Sequence, residues 1–175
     1  VIAAGLTPII DNHNTGLRGD DNTGDWESDY MGDLRSLAVR TRHQKLMTEM
    51  VKRIQADPAL VDEVVFTYAN EPIFDRSSSD ALIWWNYQKQ LVPALRAVGP
   101  DVMMTYMAND WNGIEAFING YSSHMKSFAA GDPRLFVDVH FYEPITLTHG
   151  NGNGIKYPGS INTWRGTQNW NKELM

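Results

Sequence analysis

Short apolar segments alternate with amphipathic segments along this chain, and that alternation limits the fold more than any other feature. Four segments rich in β-branched and aromatic side chains are typical of buried strands, and they span residues 6–11, 64–70, 102–107 and 135–142. Between them, apolar residues at three- and four-residue steps predict helices over residues 33–56, 79–98 and 114–129. Strands joined through helices pair in parallel by right-handed crossovers. The order therefore predicts an α/β fold, with parallel strands and outer helices.

The helical segments also predict which side chains face the core and where the helices end. Leu46, Leu82 and Ile118 fall on the apolar stripes, while Asp57-Pro58 and Gly99-Pro100 close the first two helices. Beyond the fourth strand, G-N-G-N-G at residues 150–154 indicates a loop-like tail, and T-Q-N-W-N-K-E-L from residue 167 predicts the start of another helix.

Two parallel architectures fit this order, and the residues that follow the strands favour one of them. A doubly wound sheet usually carries a G-x-G-x-x-G turn after an early strand, and none of the four strands is followed by one. A (β/α)8 barrel places its chemistry at the carboxyl ends of its strands. Polar residues collect at those ends: D-N-H-N (11–14), N-E-P (70–72), A-N-D-W-N (108–112) and H-F-Y-E-P (140–144). Since a whole barrel takes about 250 residues and this chain has 175, we predict a partial (β/α)8 TIM barrel.

Composition excludes several classes of function. The chain has no cysteine, which excludes disulfides, thiol catalysis and zinc–thiolate sites. Its formal net charge of −6 argues against nucleic acid or an anionic membrane as the main partner, and no apolar run approaches the roughly 20 residues of a membrane span. The chain opens at Val1 without the charged start or cleavage site of a signal peptide. We interpret it as a chain that begins inside a domain.

The stretch T-Y-A-N-E-P-I-F, residues 67–74, places a carboxylate at the end of a buried strand. Pro72 has no N–H to give to the strand ladder, so pairing stops at Glu71. Proline also keeps the preceding residue extended, so the Glu71 carboxylate is held in one direction. For x-E-P alone, an ordinary strand exit with an exposed acid is the alternative to a functional carboxylate.

Other strand ends carry polar or aromatic candidates. His13 is either a satisfied strand-end histidine or part of a site, and the sequence leaves both open. His140 and Tyr142 lie two residues apart, so on a strand they point to the same side. Trp111 stands in a polar loop, where an indole has little reason to lie unless something stacks on it. Sugar rings present apolar C–H faces and hydroxyls, so these side chains suit a carbohydrate cleft.

Together these motifs resemble glycoside hydrolase family 5, the cellulase family of (β/α)8 barrels. The resemblance rests on N-E-P at one strand end, D-N-H-N upstream, a tryptophan at the strand between, and V-D-V-H-F-Y-E-P two strands later, followed by L-T-H-G and Y-P-G. It covers nearly the whole chain in the family's order. By that similarity, residues 1–175 are part of a single glycoside hydrolase catalytic barrel, which starts at the third strand and lacks the first two and last two strands.

The resemblance also implies roles for individual residues. Glu71 would be the general acid/base, and Asn70 would hydrogen-bond the sugar 2-hydroxyl. The subsites around the cleaved bond would be lined by His13, His140 and Tyr142.

Three further positions follow from the same resemblance. Trp111 would be a sugar platform. Asn14 stands where many relatives have a second histidine, and His149 lies in L-T-H-G, where some members have T-H-Q-G. These last two positions are the weaker matches.

A retaining mechanism needs a second carboxylate about 5–5.5 Å from the first, acting as nucleophile. The resemblance places it at the end of the seventh strand, and no residue of this chain matches that position. On a strand, Glu143 would point to the opposite side from His140 and Tyr142. Glu173 falls in the predicted last helix, and Asp110 has no support. The fragment alone is therefore expected to be inactive, while the parent protein would be an enzyme.

The resemblance implies a retaining hydrolase of a β-1,4-linked polysaccharide. The expected activity is that of an endo-β-1,4-glucanase (cellulase), and the alternative is a β-mannanase or another family 5 β-glycanase. The expected partner is β-glucan or a related polysaccharide, with no cofactor, metal, nucleic acid, membrane or obligate protein partner. Because such polymers are cut outside the cell, we expect a secreted or periplasmic protein.

Two other functions remain open at this point. The first is a non-catalytic carbohydrate-binding barrel, which would explain the aromatic residues and the missing nucleophile. The second is a metal-dependent barrel hydrolase, whose ligands would be Asp11, His13, His140 and His149. Barrel metallohydrolases commonly open with H-x-H, and this chain has D-N-H-N instead.

Overall fold

The structure is a computed structural model of the chain, and it describes residues 2–13, 34, 36–72, 81–109, 111–120, 124–141, 159–163 and 166–170. The elements in chain order are a 3-10 helix Ile2–Ala4, β1 Ile9–Asp11, α1 Leu37–Ala56, β2 Val65–Thr67, α2 Ala81–Val98, β3 Met103–Met107, α3 Ile114–Gly120, α4 Lys126–Ala129, β4 Leu135–Asp138, β5 Gly159–Thr163 and β6 Gly166–Trp170. They fall into two compact units, Val1–His140 and Phe141–Met175.

The first four strands form one parallel sheet in the order β1-β2-β3-β4. Ile10 pairs with Phe66 and Phe66 with Met104. Met104 in turn pairs with Leu135, so one row of apolar residues crosses the whole sheet. The predicted parallel α/β arrangement is confirmed, and the carboxyl ends of all four strands lie at one edge.

The second strand is shorter than the sequence predicted, because side chains replace its partners near its end. β2 stops at Thr67, three residues before Asn70. The next carbonyl, that of Tyr68, accepts from Asn12 Nδ2 at 3.1 Å and from His43 Nε2 at 3.0 Å. The backbone therefore leaves the ladder with its polar groups satisfied.

Buried faces of the helices cover the first unit's sheet. In α1 the buried residues recur at steps of three or four: Val39, His43, Met47, Val51 and Ile54. In α2 they include Trp84, Leu91 and Leu95, which join the same core as Phe66 and Met104. Within the described part of the chain, no helix has both the length and the apolar character needed to cross a membrane.

Among the described helical residues, three side chains predicted to face the core are exposed instead. They are Leu46, Leu82 and Ile118. Each neighbours the buried row of its helix: Met47 rather than Leu46 is fully buried in α1, and Ala81 and Trp84 rather than Leu82 in α2. The sheet buries only the side of a helix that packs on it, whereas the apolar stripe read from the sequence covers a wider part of the helix surface.

The helix predicted over residues 114–129 is described in two stretches. The first is α3, and in the second a wider, π-type helical turn at residues 124–125 leads directly into α4. Met125, just before α4, is fully buried. The described residues of this segment are therefore helical, as predicted, and residues 121–123 lie outside them.

The second unit contains an antiparallel hairpin, where the sequence predicted a loop and the start of a helix. β5 pairs with β6, from Gly159 opposite Trp170 to Thr163 opposite Gly166. The segments G-S-I-N-T and G-T-Q-N-W carry β-branched residues that favour strands. The helix predicted from residue 167 is wrong over residues 167–170, which belong to β6.

Candidate active site

Glu71 and His140 meet at the carboxyl ends of β2 and β4. His140 Nδ1 lies 2.6 Å from Glu71 Oε1, a short contact in which the ring N–H donates to the carboxylate. The His140 and Glu71 side chains are only 20% and 13% exposed, so water competes weakly for this bond. The hydrogen bond to Glu71 raises the pKa of His140 above its usual 6.5, although burial opposes the change. A protonatable ring and a carboxylate thus share one hydrogen bond.

Two aspartates add negative charge near His140. Asp138 Oδ1 lies 3.6 Å from His140 Nε2, and the charges of Asp138, Glu71 and Asp11 all raise the pKa of His140. Burial raises the pKa of Asp138 above 3.8, His140 opposes that change, and Asp11 and Glu71 add to it. Among the residues with described positions, no three such side chains are arranged to hold a metal ion.

His13 follows β1 and lies beside Asn70. Its Nδ1 is 2.6 Å from Asp11 Oδ2, and its Nε2 is 3.5 Å from Asn70 Nδ2. When Nδ1–H donates to Asp11, the Nε2 lone pair can accept from the Asn70 amide. Asn70 is buried, whereas the His13 side chain is 74% exposed. This pair therefore connects the buried strand end with a surface open to solvent.

Trp111 presents an exposed aromatic side chain in the turn after β3, with 44% of its surface accessible. Trp111 and Asn112 have φ values of 60° and 55°, in the left-handed region that residues other than glycine rarely adopt. The Trp111 N–H donates to the Pro72 oxygen at 3.3 Å. The turn therefore contacts the residue that directly follows Glu71.

The residues of this site lie in a chain that matches one protein family along nearly its whole length. A family model described as Cellulase (glycosyl hydrolase family 5) matches residues 1–174. The chain belongs to glycosyl hydrolase family 5. The four parallel strands of this family 5 chain are accordingly part of a (β/α)8 barrel, which confirms the predicted fold class.

Solved structures share this fold. The endoglucanase Cel5A of the hyperthermophilic Thermotoga maritima aligns with a TM-score of 0.62 at 17% identity, over 89% of this chain and 42% of that one. A mutant form of Thermotoga maritima Cel5A in complex with cellobiose gives a TM-score of 0.60 at 16% identity, with the same 89% and 42% coverage. The complex of that Cel5A with mannotriose gives 0.56 at 16%, again over 89% and 42%. At these identities the likeness shows the fold alone.

The family 5 chain spans about 42% of the length of the solved structures that it matches. No curated protein matches its sequence.

The predicted site residues fall into two groups. The structure brings Glu71, Asn70, His13 and His140 to one edge of the sheet, and the Trp111 backbone contacts Pro72 there. Other positions considered in the sequence lie outside the described residues: Asn14, Tyr142, His149, Asp110, Glu143 and Glu173. Their roles stay predictions.

A buried polar network beneath the family 5 site had no counterpart in the sequence expectations. His43 of α1 donates from Nε2 to the Tyr68 oxygen at 3.0 Å, and its Nδ1 accepts from the Tyr87 hydroxyl at 2.5 Å. Burial lowers the pKa of His43 to about 4, so the ring is neutral near pH 7. The Tyr68 carbonyl comes two residues before Asn70, so the network supports the strand end of the site. The position of His43 on the buried stripe of α1 was the available signal.

Proposed function

We propose that the protein to which this chain belongs is a retaining glycoside hydrolase of β-1,4-linked polysaccharide, and first of all an endo-β-1,4-glucanase. The observation that carries the proposal is the 2.6 Å contact between Glu71 and His140. It holds a carboxyl group beside a ring N–H at the edge of the sheet where barrel enzymes carry their chemistry. Membership in a family of glycosyl hydrolases supports it.

Glu71 is the general acid/base of the proposed mechanism. It protonates the leaving glycosidic oxygen and then activates the attacking water. His140 orients one carboxyl oxygen, and its N–H stabilises the carboxylate that forms as Glu71 gives up the proton. The nucleophile of a retaining mechanism is not assigned to a residue of this chain.

Residues around Glu71 bind the sugar on either side of the cleaved bond. Asn70 hydrogen-bonds the 2-hydroxyl, a contact that strengthens in the transition state. The 3.5 Å approach of His13 Nε2 to the Asn70 amide supports this placement. His140 lines the same subsites, and the family resemblance assigns Tyr142 a role near the nucleophile.

An exposed indole and two further polar residues complete the proposed cleft. Trp111 stacks on the apolar face of a sugar ring, and its exposed side chain supports that role. Asn14 and His149 are assigned as weaker contacts to substrate.

The substrate class is supported by the ligands of the structural relatives. Thermotoga maritima Cel5A has been solved with cellobiose and with mannotriose, which favours a β-glucan first and a β-mannan second. Because a polymer of this kind is cut outside the cell, we propose a secreted or periplasmic protein.

Glu71→Gln in the full-length protein tests the proposed function. On carboxymethyl-cellulose, mannan and xylan, the wild type should cleave one polymer, and the variant should lose about 10²–10⁴-fold of that rate because an amide cannot transfer the proton. On an aryl glycoside whose leaving group needs no proton, the variant should keep its first step. This contrast separates loss of the acid from loss of binding.

Glu63→Gln is the matched control, because Glu63 is an exposed glutamate in the turn before β2. Its rates should equal those of the wild type. If Glu71→Gln cleaves the polymer at the wild-type rate, the acid/base assignment is wrong. If the wild type binds glucan without cleaving it, a non-catalytic carbohydrate-binding barrel replaces the enzyme.

A further inference from the structure

Asn112 is a fully buried asparagine in the turn that follows β3. Its Oδ1 accepts from the Ala108 N–H at 2.9 Å. Its main-chain oxygen accepts from the His140 N–H at 2.9 Å, and the next residue, Gly113, forms an isolated parallel bridge with His140. Asn112 thus closes its own turn with its side chain and holds the end of β4 with its backbone.

The same turn also contacts the backbone next to Glu71, the partner of His140. The Trp111 N–H donates to the Pro72 oxygen at 3.3 Å, and Pro72 directly follows Glu71. Residues 111–113 therefore bond to the backbone on both sides of the contact between Glu71 and His140. The distance between those two side chains depends on the shape of this turn.

The shape of residues 111–113 depends on the Asn112 side chain. Trp111 and Asn112 are consecutive left-handed residues, and such a conformation persists only where surrounding contacts fix it. Asparagine tolerates the left-handed region and bonds to nearby backbone, which tryptophan cannot do. The buried bond from the Ala108 N–H to Asn112 Oδ1 is a side-chain contact of this kind.

We propose that Asn112 is a positioning residue, whose side chain fixes the 111–113 turn and thereby sets the separation of His140 from Glu71. The expected loss of rate rests on the proposed glycosidase function. The expected change in the geometry of His140 does not rest on that function. The positioning role and the glycosidase function can therefore be disproved separately.

Asn112→Gly removes the side chain while keeping the backbone conformation accessible, because glycine adopts left-handed dihedrals without steric cost. It leaves the buried Ala108 N–H without its acceptor. In the full-length enzyme we expect kcat on the polysaccharide to fall about 10- to 100-fold, with KM changed less than about two-fold. Loss of kcat without loss of binding is the signature of a misplaced catalytic group.

The pKa of the His140 ring, followed by NMR, provides a readout that needs no catalysis. The groups that act on this ring are Glu71, Asp138 and Asp11. A looser contact weakens the hydrogen bond that raises the pKa of His140, so in Asn112→Gly the pKa should move down toward 6.5. A residue that only stabilised the fold would lower Tm and leave this pKa unchanged.

Two more variants complete the test. Asn86→Ala, at an exposed asparagine of α2, should match the wild type in kcat and in the pKa of His140. Asn112→Ser keeps a shorter acceptor, and it should show smaller changes of the same sign even if Asn112→Gly does not fold.

The proposal is overturned if a folded Asn112→Gly or Asn112→Ser protein keeps the wild-type pKa of His140, whatever its kcat, because a residue that only stabilised the fold would give that result. If the wild type cleaves no polysaccharide while the variant lowers that pKa, the positioning role stands and the proposed function fails.

Discussion

The hydrogen bond between His140 and Glu71 makes the site respond to pH at the level of single residues. The pKa of His140 is raised above 6.5 in the folded protein. Its contribution to stability is therefore fully present below pH 6.5, and it is lost as the pH rises through the raised value. A hydrogen bond to a charged group contributes about 1.5–3 kcal/mol.

His140→Gln removes the titrating ring and keeps a side-chain amide donor. We expect the fall in unfolding free energy above pH 6.5 to become shallower than in the wild type. Urea unfolding at closely spaced pH values from 6 to 9 measures it. An unchanged slope in the variant contradicts the assigned contact.

Among the elements, the ends of α1 and α2 were predicted more accurately than the start of α1. Asp57-Pro58 and Gly99-Pro100 correctly predicted the ends of α1 and α2 at Ala56 and Val98, because proline and glycine act on their own neighbours. The start of α1 was predicted four residues early. Its N-cap, Ser36, makes no side-chain cap hydrogen bond, so the usual local signal does not mark that position.

Gly99 allows a close approach between the end of α2 and α1. A Cβ at this position would lie 2.2 Å from Val51 Cγ1, and Val51 is fully buried and stiff at χ1. Gly99→Ala should therefore lower the free energy of unfolding by about 1–3 kcal/mol. The denaturation midpoint of the variant measures this.

Val51→Ala provides the matched partner for that test, because it removes the methyl group that the new Cβ meets. The double variant should be more stable than the sum of the two single changes predicts. Strict additivity would show that the two positions do not crowd each other.

Over the whole molecule, the buried network around His43 makes folding sensitive to acid. The pKa of His43 is lowered to about 4 in the folded protein, against 6.5 for the ordinary side chain. Between those values the unfolded chain binds a proton that the folded chain does not, so stability rises with pH across this window. The gap corresponds to about 3 kcal/mol of stability lost on acidification.

His43→Gln removes this titration. We expect a protein that is less stable at pH 7, where a buried hydrogen-bonded ring is lost, and whose stability changes less between pH 6.5 and 4. Guanidinium unfolding at pH 7 and 4.5 measures both effects, with Gln44→Ala on the same helix as control. If His43→Gln and the wild type lose the same free energy of unfolding between pH 7 and 4.5, His43 does not control the acid response.

Sequence patterns sufficed for the parallel α/β order, because alternation and helical spacing act over a few residues. They did not fix where β2 ends: pairing stops at Thr67 rather than at Glu71, because the Asn12 and His43 side chains bond the next carbonyl. The family resemblance also predicted His140, although not its contact. Glu71 and His140 are 69 positions apart, and His43 and Tyr87 are 44 apart. Such pairs meet only when parallel strands align their carboxyl ends and the helices pack on the sheet. Burial of His43 and the raised pKa of His140 arise from that packing, so only the tertiary structure decided them.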